Sequence, residues 1–193
     1  MAPRVGVLGI QGDFEKHLAM LRGLGAEGVL VLRKEDLDGL DALILPGGES
    51  TTISKGLARL ELAGPIQDFA RGGGAVLGTC AGAILLSRRS ENHPVPTLGL
   101  LDAVARRNAY GTQVDSFTAE ADPGGEPALA GMRCIFIRAP QLAELGPGVE
   151  VLLRVDGLPV LVREGRILGA TFHPELGRDD RVHRLLIALA AEH

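Results

Sequence analysis

Ala75-Val76-Leu77-Gly78-Thr79-Cys80-Ala81-Gly82-Ala83-Ile84-Leu85-Leu86 is the stretch whose reading decides the fold. One apolar run leads into Gly-x-Cys-x-Gly and a second leaves it, which reads as strand, sharp turn and helix with a cysteine at the apex. Small residues flank the thiol because strand and helix close tightly around such an apex. The pattern is the cysteine version of the Gly-x-Ser-x-Gly elbow. A helix start behind Cys80 brings unpaired N–H groups and a positive dipole end near the sulfur, and both favour the nucleophilic thiolate. Alone, the motif also suits a tight turn in a core, since cysteine is among the most buried residue types.

Upstream of this elbow the chain alternates strand and helix. Val5-Gly6-Val7-Leu8 reads as the first buried strand, Val29 to Leu32 as the second and Leu43 to Leu45 as the third. Asp13 is placed to cap a helix with Phe14, Leu18, Leu21 and Leu24 on one face, ended by Gly23 and Gly25. Pro46-Gly47-Gly48-Glu49-Ser50 follows the third strand, then a helical face of Ile53, Leu57 and Leu60, then a helix opened by Gly64-Pro65 that carries Ile66 and Phe69. Such alternation predicts an α/β fold with a parallel sheet covered by helices on both faces, and functional groups at the carboxyl ends of its strands.

Downstream the character changes. Residues 98–105, 113–118, 133–138, 149–154, 159–163 and 167–172 read as strands. Turns such as Asp156-Gly157 and Glu164-Gly165-Arg166 are too short to hold a helix, so antiparallel pairing enters and the sheet is mixed. Residues 121–127 read as a loop, and Val182, Leu185, Leu186 and Leu189 form the face of a last helix. With no repeat, low-complexity tract or linker, residues 1–193 read as one domain.

Composition narrows the function classes. Hydrophobic residues make up 46% and charged residues 23%, a globular balance. A net charge of -4 without a basic patch argues against nucleic acid as a partner. Two cysteines, Cys80 and Cys134, make no disulfide framework, which points to a reducing compartment. Without a signal-peptide pattern or a long apolar run, the expected location is cytoplasmic, with no membrane association. Arginine dominates the basic residues and asparagine occurs only at Asn92 and Asn108, a bias that suits either a thermophile or a GC-rich genome.

A nucleophilic thiol needs a base, and the base needs an orienting group. His17, His93, His183 and His193 read as solvent-exposed or merely structural. His173 differs, closing the last strand ahead of Pro174 and Glu175. The residue before proline is pushed to extended geometry, where i and i+2 share a side. Glu175 can then hold one imidazole nitrogen while the other serves Cys80. For an oxyanion, the Ala81 N–H and the Gly47-Gly48 loop are candidate donors. Glu49 would repel a phosphate and suits a site that grips an ammonium group. Cys134, inside an apolar strand, reads as packing. The histidines lack the clustered spacing of zinc ligands, and neither a phosphate loop nor a dinucleotide fingerprint occurs, so no metal or cofactor is expected.

Gly-x-Cys-x-Gly followed by His-Pro-Glu resembles the class I (triad) glutamine amidotransferases. A fuller set comprises Gly9 to Gly12, Leu45 to Thr52, Gly78 to Gly82, Arg107-Asn108, Gln113 to Phe117, Phe136 to Pro140 and Phe172 to Leu176. Together these resemble, across nearly the whole chain, the glutaminase subunits of pyridoxal 5′-phosphate synthase. The resemblance implies a three-layer, flavodoxin-like class I glutamine amidotransferase fold. It implies hydrolysis of L-glutamine to L-glutamate and ammonia by Cys80, His173 and Glu175, and docking on a separate synthase (lyase) subunit that receives the ammonia for vitamin B6 biosynthesis. It further implies that Gly48, Glu49, Ser50, Arg107, Ile137 and Arg138 hold glutamine, that Gly48 and Ala81 form the oxyanion hole, and that the segment near Gln11 senses the partner. Three other readings stay open: a glutaminase subunit of a different amidotransferase, a cysteine hydrolase or peptidase of similar topology, and a catalytically inactive binding or regulatory subunit.

Overall fold

The computed structural model describes residues 2–107 and 116–192. Asn108, the strand expected from Gln113 up to Asp115, and His193 lie outside the described residues. In chain order the strands are β1 (Arg4–Leu8), β2 (Glu27–Val31), β3 (Ala42–Leu45), β4 (Ala75–Thr79), β5 (Ser87–Glu91), β6 (Leu101–Arg106), β7 (Ser116–Glu120), β8 (Asp122–Pro123), β9 (Arg133–Ile137), β10 (Gln141–Ala143), β11 (Glu150–Val155), β12 (Leu158–Glu164) and β13 (Ile167–Ala170). The helices are α1 (Phe14–Gly23), α2 (Ser50–Arg59), α3 (Ala63–Arg71), α4 (Ala81–Leu86) and α5 (Arg181–Ala191).

Eight strands form one mixed sheet in the order β2-β1-β3-β4-β13-β12-β11-β8. β2, β1, β3, β4 and β13 run parallel, and β12, β11 and β8 add antiparallel neighbours. The expected alternation and the expected antiparallel second half are both present. The downstream strands do not all join that sheet, however. β10-β6-β5 make a separate three-stranded sheet, and β7-β9 an antiparallel ribbon. Part of the segment read as a loop is also paired: β8 adds to β11, and Gly124 and Gly125 N–H groups donate to Leu152 and Val151 carbonyls at 2.8 Å.

Side-chain alternation along the parallel strands builds two cores. Val5, Val7, Ala42, Ile44, Ala75 and Leu77 face α1 and α5, where Leu21, Val182, Leu186 and Leu189 pack on them together with Phe136 of the ribbon. Leu8, Leu43, Leu45 and Val76 face the other way, onto Ile53 and Leu57 of α2, Ile66 of α3, Leu85 of α4 and the small sheet. Helices thus cover both faces, and the carboxyl ends of β1, β3, β4 and β13 meet along one edge.

Candidate active site

Cys80 stands where β4 ends and α4 begins, with φ 48° and ψ -104°. A non-glycine residue in the left-handed region is strained, and the neighbours hold it there. Its N–H donates to the Ala170 carbonyl of the adjacent β13 at 2.8 Å. Gly78 and Gly82 admit the turn: a Cβ on Gly78 would come within 2.6 Å of the Gly82 backbone, and one on Gly82 would collide with the Leu45 carbonyl. The small residues read from the sequence are therefore required by backbone-to-backbone contact.

His173 and Glu175 follow β13, the strand beside β4. The His173 N–H is tied to the Ile135 carbonyl of the ribbon at 2.8 Å. Its Nδ1 lies 2.7 Å from Glu175 Oε1; the two side chains meet as expected, but over a 3-10 turn at Pro174–Leu176 rather than along extended chain. Burial alone would lower the His173 pKa, but hydrogen bonds to Cys80 and to Glu175 raise it to about 10. Both side chains are buried. Cys80 Sγ lies 3.7 Å from the Ile137 carbonyl at the end of the ribbon.

The Gly47-Gly48 loop is pinned from three sides. The Gly47 N–H donates to Thr79 Oγ1 at 3.1 Å, the Gly47 carbonyl accepts the Asp13 N–H at 3.2 Å, and the Glu49 N–H donates to Gln11 Oε1 at 2.8 Å. No peptide among the described residues is cis, so the Gly48 N–H points away from Asp13. A Cβ on Gly47 would come 2.5 Å from the His173 ring and 3.3 Å from Cys80, so only glycine lets the loop approach both.

A cavity of about 360 Å³ opens beside the sulfur, lined by Gly48, Glu49, Ser50, Cys80, Ala81, Ile84, Arg107 and Arg138. Seven of these are residues that the sequence singled out; Ile84 of α4 adds an apolar wall. Ile137 presents its carbonyl rather than its side chain. Gln11 stands behind the loop, where its Oε1 accepts the Glu49 N–H and lies against Gly48.

Glu49 has a duty the sequence did not disclose. Its carboxylate caps α2, accepting from the Thr51 N–H at 2.9 Å, the Thr52 N–H at 2.8 Å and the Thr52 hydroxyl at 2.8 Å, and Arg107 lies 3.4 Å away. Burial opposes its ionisation, yet these hydrogen bonds hold its pKa down to about 2. It presents a fixed negative charge to the cavity.

Asp13 departs from the capping role expected of it. It occupies the position before α1 but makes no side-chain cap, because its φ and ψ of -84° and 34° are not the extended values a cap needs. Its carboxylate instead stands 3.8 Å from His173 Nδ1. Asp13, His173 and Glu175 bring one potential metal ligand each within 4.8 Å of one another. The 2.7 Å contact between His173 and Glu175 is of hydrogen-bond length.

His17 and His183, read from the sequence as exposed or merely structural, are both fully buried, and their contact was not foreseen: His17 Nδ1 lies 2.9 Å from His183 Nε2. On the other side of its ring, His17 Nε2 lies 3.3 Å from Thr79 Oγ1 and 3.4 Å from Glu175 Oε2. The one available signal was His17 lying four residues before Leu21, on the buried flank of α1. Cys134 is fully buried in the ribbon, and burial pushes its thiol up to about 12.

The sequence matches the SNO glutamine amidotransferase family over residues 7–192. It is 50% identical over 192 residues to a pyridoxal 5′-phosphate synthase subunit PdxT of Thermus thermophilus, covering 96% of this chain and 97% of that one. It is 48% identical over 187 residues to the subunit of the same name from Pelotomaculum thermopropionicum, covering 95% and 93%. A crystal structure described as a glutamine amidotransferase superimposes with a TM-score of 0.91 at 47% identity, covering 96% and 98%. The structure described as PurLQS from Thermotoga maritima superimposes at 0.71 with 20% identity over 97% and 99%, a likeness of fold alone.

Proposed function

The chain belongs to the SNO glutamine amidotransferase family, and from that premise we propose that it hydrolyses L-glutamine to L-glutamate and ammonia for the synthesis of pyridoxal 5′-phosphate. The observation that carries the reading is the Cys80 elbow in hydrogen-bond contact with the buried His173–Glu175 pair, beside a cavity lined by a carboxylate and two arginines. Relatives that share half of its residues are named as subunits of that synthase.

Cys80 Sγ attacks the side-chain amide carbon of glutamine. The Ala81 and Gly48 N–H groups hold the oxyanion that forms, where preorganised donors contribute most. His173 carries the proton that the leaving amine takes, and ammonia departs from a thioester on Cys80. Water then attacks the thioester, giving its proton to His173, and glutamate leaves with the thiol restored. Glu175 fixes the imidazole through Nδ1, which keeps Nε2 for the chemistry. Arg107 and Arg138 suit the α-carboxylate, since a guanidinium binds it in a bidentate fork. The fixed charge of Glu49 suits the α-ammonium, with Ser50 and the Ile137 backbone completing the grip.

The partner is a separate synthase subunit that takes the ammonia directly in a hetero-oligomeric complex, and the site of action is the cytoplasm. Among the described residues no helix is long and apolar enough to cross a membrane. Gln11, behind the oxyanion loop, is the residue through which docking reaches the site. The test is glutamate release from glutamine with and without the synthase subunit, for the parent and for Cys80→Ala. Stimulation by the partner, abolished in Cys80→Ala, is the expected result. Full activity in Cys80→Ala overturns the mechanism, and high activity indifferent to the subunit overturns the partner.

A further inference from the structure

Glu175 uses only one of its oxygens on His173. The other, Oε2, is buried with no well-aligned hydrogen bond among the described residues, and His17 Nε2 stands 3.4 Å from it. The same His17 nitrogen lies 3.3 Å from Thr79 Oγ1, the hydroxyl that accepts the Gly47 N–H. One imidazole edge therefore meets both the acid of the His173–Glu175 pair and the support of the oxyanion loop. Behind it, His17 Nδ1 lies 2.9 Å from His183 Nε2, and His183 Nδ1 has no partner among the described residues.

This chain of contacts admits two proton arrangements for neutral rings. In one, His183 Nε2–H donates to His17 Nδ1, and His17 Nε2–H faces Thr79 and Glu175. In the other, both protons sit on the Nδ1 atoms. In the second, the Thr79 hydroxyl could donate to the His17 Nε2 lone pair, but that lone pair would also face a buried carboxylate oxygen, and an N–H of His183 would be stranded without an acceptor. The first gives the orphaned oxygen a positive edge and leaves only a lone pair of His183 unmatched. Buried N–H groups are orphaned less often than acceptors, so both ends of the chain favour the first arrangement.

We propose that His17, held as its Nε2–H tautomer by His183, is a positioning residue that orients Glu175 and, through Thr79, the Gly47-Gly48 loop. The proposal rests on the glutaminase reading above. It extends the machinery from three residues to six and ties nucleophile strand, acid and oxyanion loop to one buried point. The groups facing His17 are His183 on α5, Thr79 on β4, and Glu175 and His173 after β13. Asp180 acts on His183 from the start of α5. Burial, then His183 and His173, hold the His17 pKa well below its ordinary value, and burial takes His183 down to about 4. Both rings are thus neutral at working pH, as the relay requires.

Two substitutions separate positioning from packing. His17→Leu fills space but offers no donor, whereas the amide of Gln in His17→Gln places an N–H near the position of Nε2. With the synthase subunit present, His17→Leu is expected to lose about 10- to 100-fold in kcat, the effect of stranding one buried acceptor, with KM unchanged. His17→Gln is expected to recover most of that loss. Parent-like kcat in His17→Leu, or equal damage in the two variants, overturns the proposal. Nitrogen-15 NMR of the parent is the second readout and does not depend on a variant folding. It is expected to find His17 as the Nε2–H tautomer without titration from pH 5 to pH 8, and an Nδ1–H tautomer overturns the relay. A parent that releases no glutamate fails the functional reading instead, and the tautomer then decides the relay by itself.

Discussion

His173 Nδ1 lies 2.7 Å from Glu175 Oε1 across a proline that forces the turn between them. The carboxylate is held by chain geometry, so replacing it need not disturb the fold around Cys80. Glu175→Gln keeps the shape and removes the charge that balances a protonated His173. We expect kcat to fall by about 10²- to 10⁴-fold with little change in KM. Glutamate release in the presence of the synthase subunit measures it, and more than a tenth of parent activity would remove Glu175 from the mechanism.

The two cysteines differ in access and in environment. Cys80 opens onto the cavity, whereas Cys134 is fully buried with its thiol pushed up to about 12. Alkylation needs an accessible thiolate. Treating the native protein with iodoacetamide is expected to modify Cys80 alone and abolish activity, and mass spectrometry of the peptides reads the site. Labelling of Cys134 at a comparable rate contradicts the assignment.

Gly82 sets how closely α4 approaches β3. An added Cβ there meets the Leu45 carbonyl, a backbone atom that cannot swing aside. Gly82→Ala is expected to cost about 2–3 kcal/mol, toward the upper end for overpacking, and to lower Tm by about 5–10 °C. Urea and thermal unfolding measure it. Unchanged stability means that the elbow relaxes without resistance.

Much of this arrangement was legible beforehand, because its causes are local. An elbow needs small residues next to each other in sequence, and His-Pro-Glu sets its own geometry. Of the small sheet, β6 was read as a strand, but β5 was illegible for the opposite reason. β5 carries Ser87, Arg88, Arg89, Ser90 and Glu91, with no apolar alternation to read. The sheet's inner face packs Leu101, Ala103 and Leu142 on the core, and its outer face carries charge: Arg106 of β6 meets Glu91 at 3.2 Å, and Arg89 meets Glu144, just after β10, at 3.0 Å. Such pairing appears only once the fold brings the strands together. The buried histidines were hidden likewise, since His17 on α1 and His183 on α5 are 166 residues apart. Neither has a neighbour in sequence that reveals the other.

The histidines also set a pH optimum for stability. The pKa of His173 is raised to about 10, so its contribution is complete below about pH 6.5 and is lost as pH rises through about 10. Those of His17 and His183 are lowered, the latter to about 4. Their contribution is present above about pH 6.5 and is lost as pH falls through about 4 for His183. The summed contribution of the three is greatest near pH 6.5. Urea midpoints between pH 4 and pH 10 are expected to peak there. A midpoint that climbs steadily to pH 9 would show that other groups dominate.

Gln11 holds the oxyanion loop without entering the cavity. Its Oε1 accepts the Glu49 N–H at 2.8 Å, and a Cβ on Gly48 would come 2.5 Å from that same oxygen. The adjoining Gly12, at φ 103°, touches the Gly47 carbonyl so closely that no side chain fits. A push on the Gln11-Gly12 turn is therefore passed to the Gly48 peptide, whose N–H is the proposed oxyanion donor. Removing the side chain cuts that connection while leaving Cys80, His173 and Glu175 in place. Gln11→Ala is expected to bind glutamine with ordinary affinity but to lose most of the stimulation by the synthase subunit, about tenfold or more in kcat, the scale of one oxyanion donor. Glutamate release against subunit concentration gives the stimulation, and titration calorimetry gives the affinity between subunits. If both match the parent, docking reaches the site by another route, and the loop is held by Thr79 and Asp13 alone.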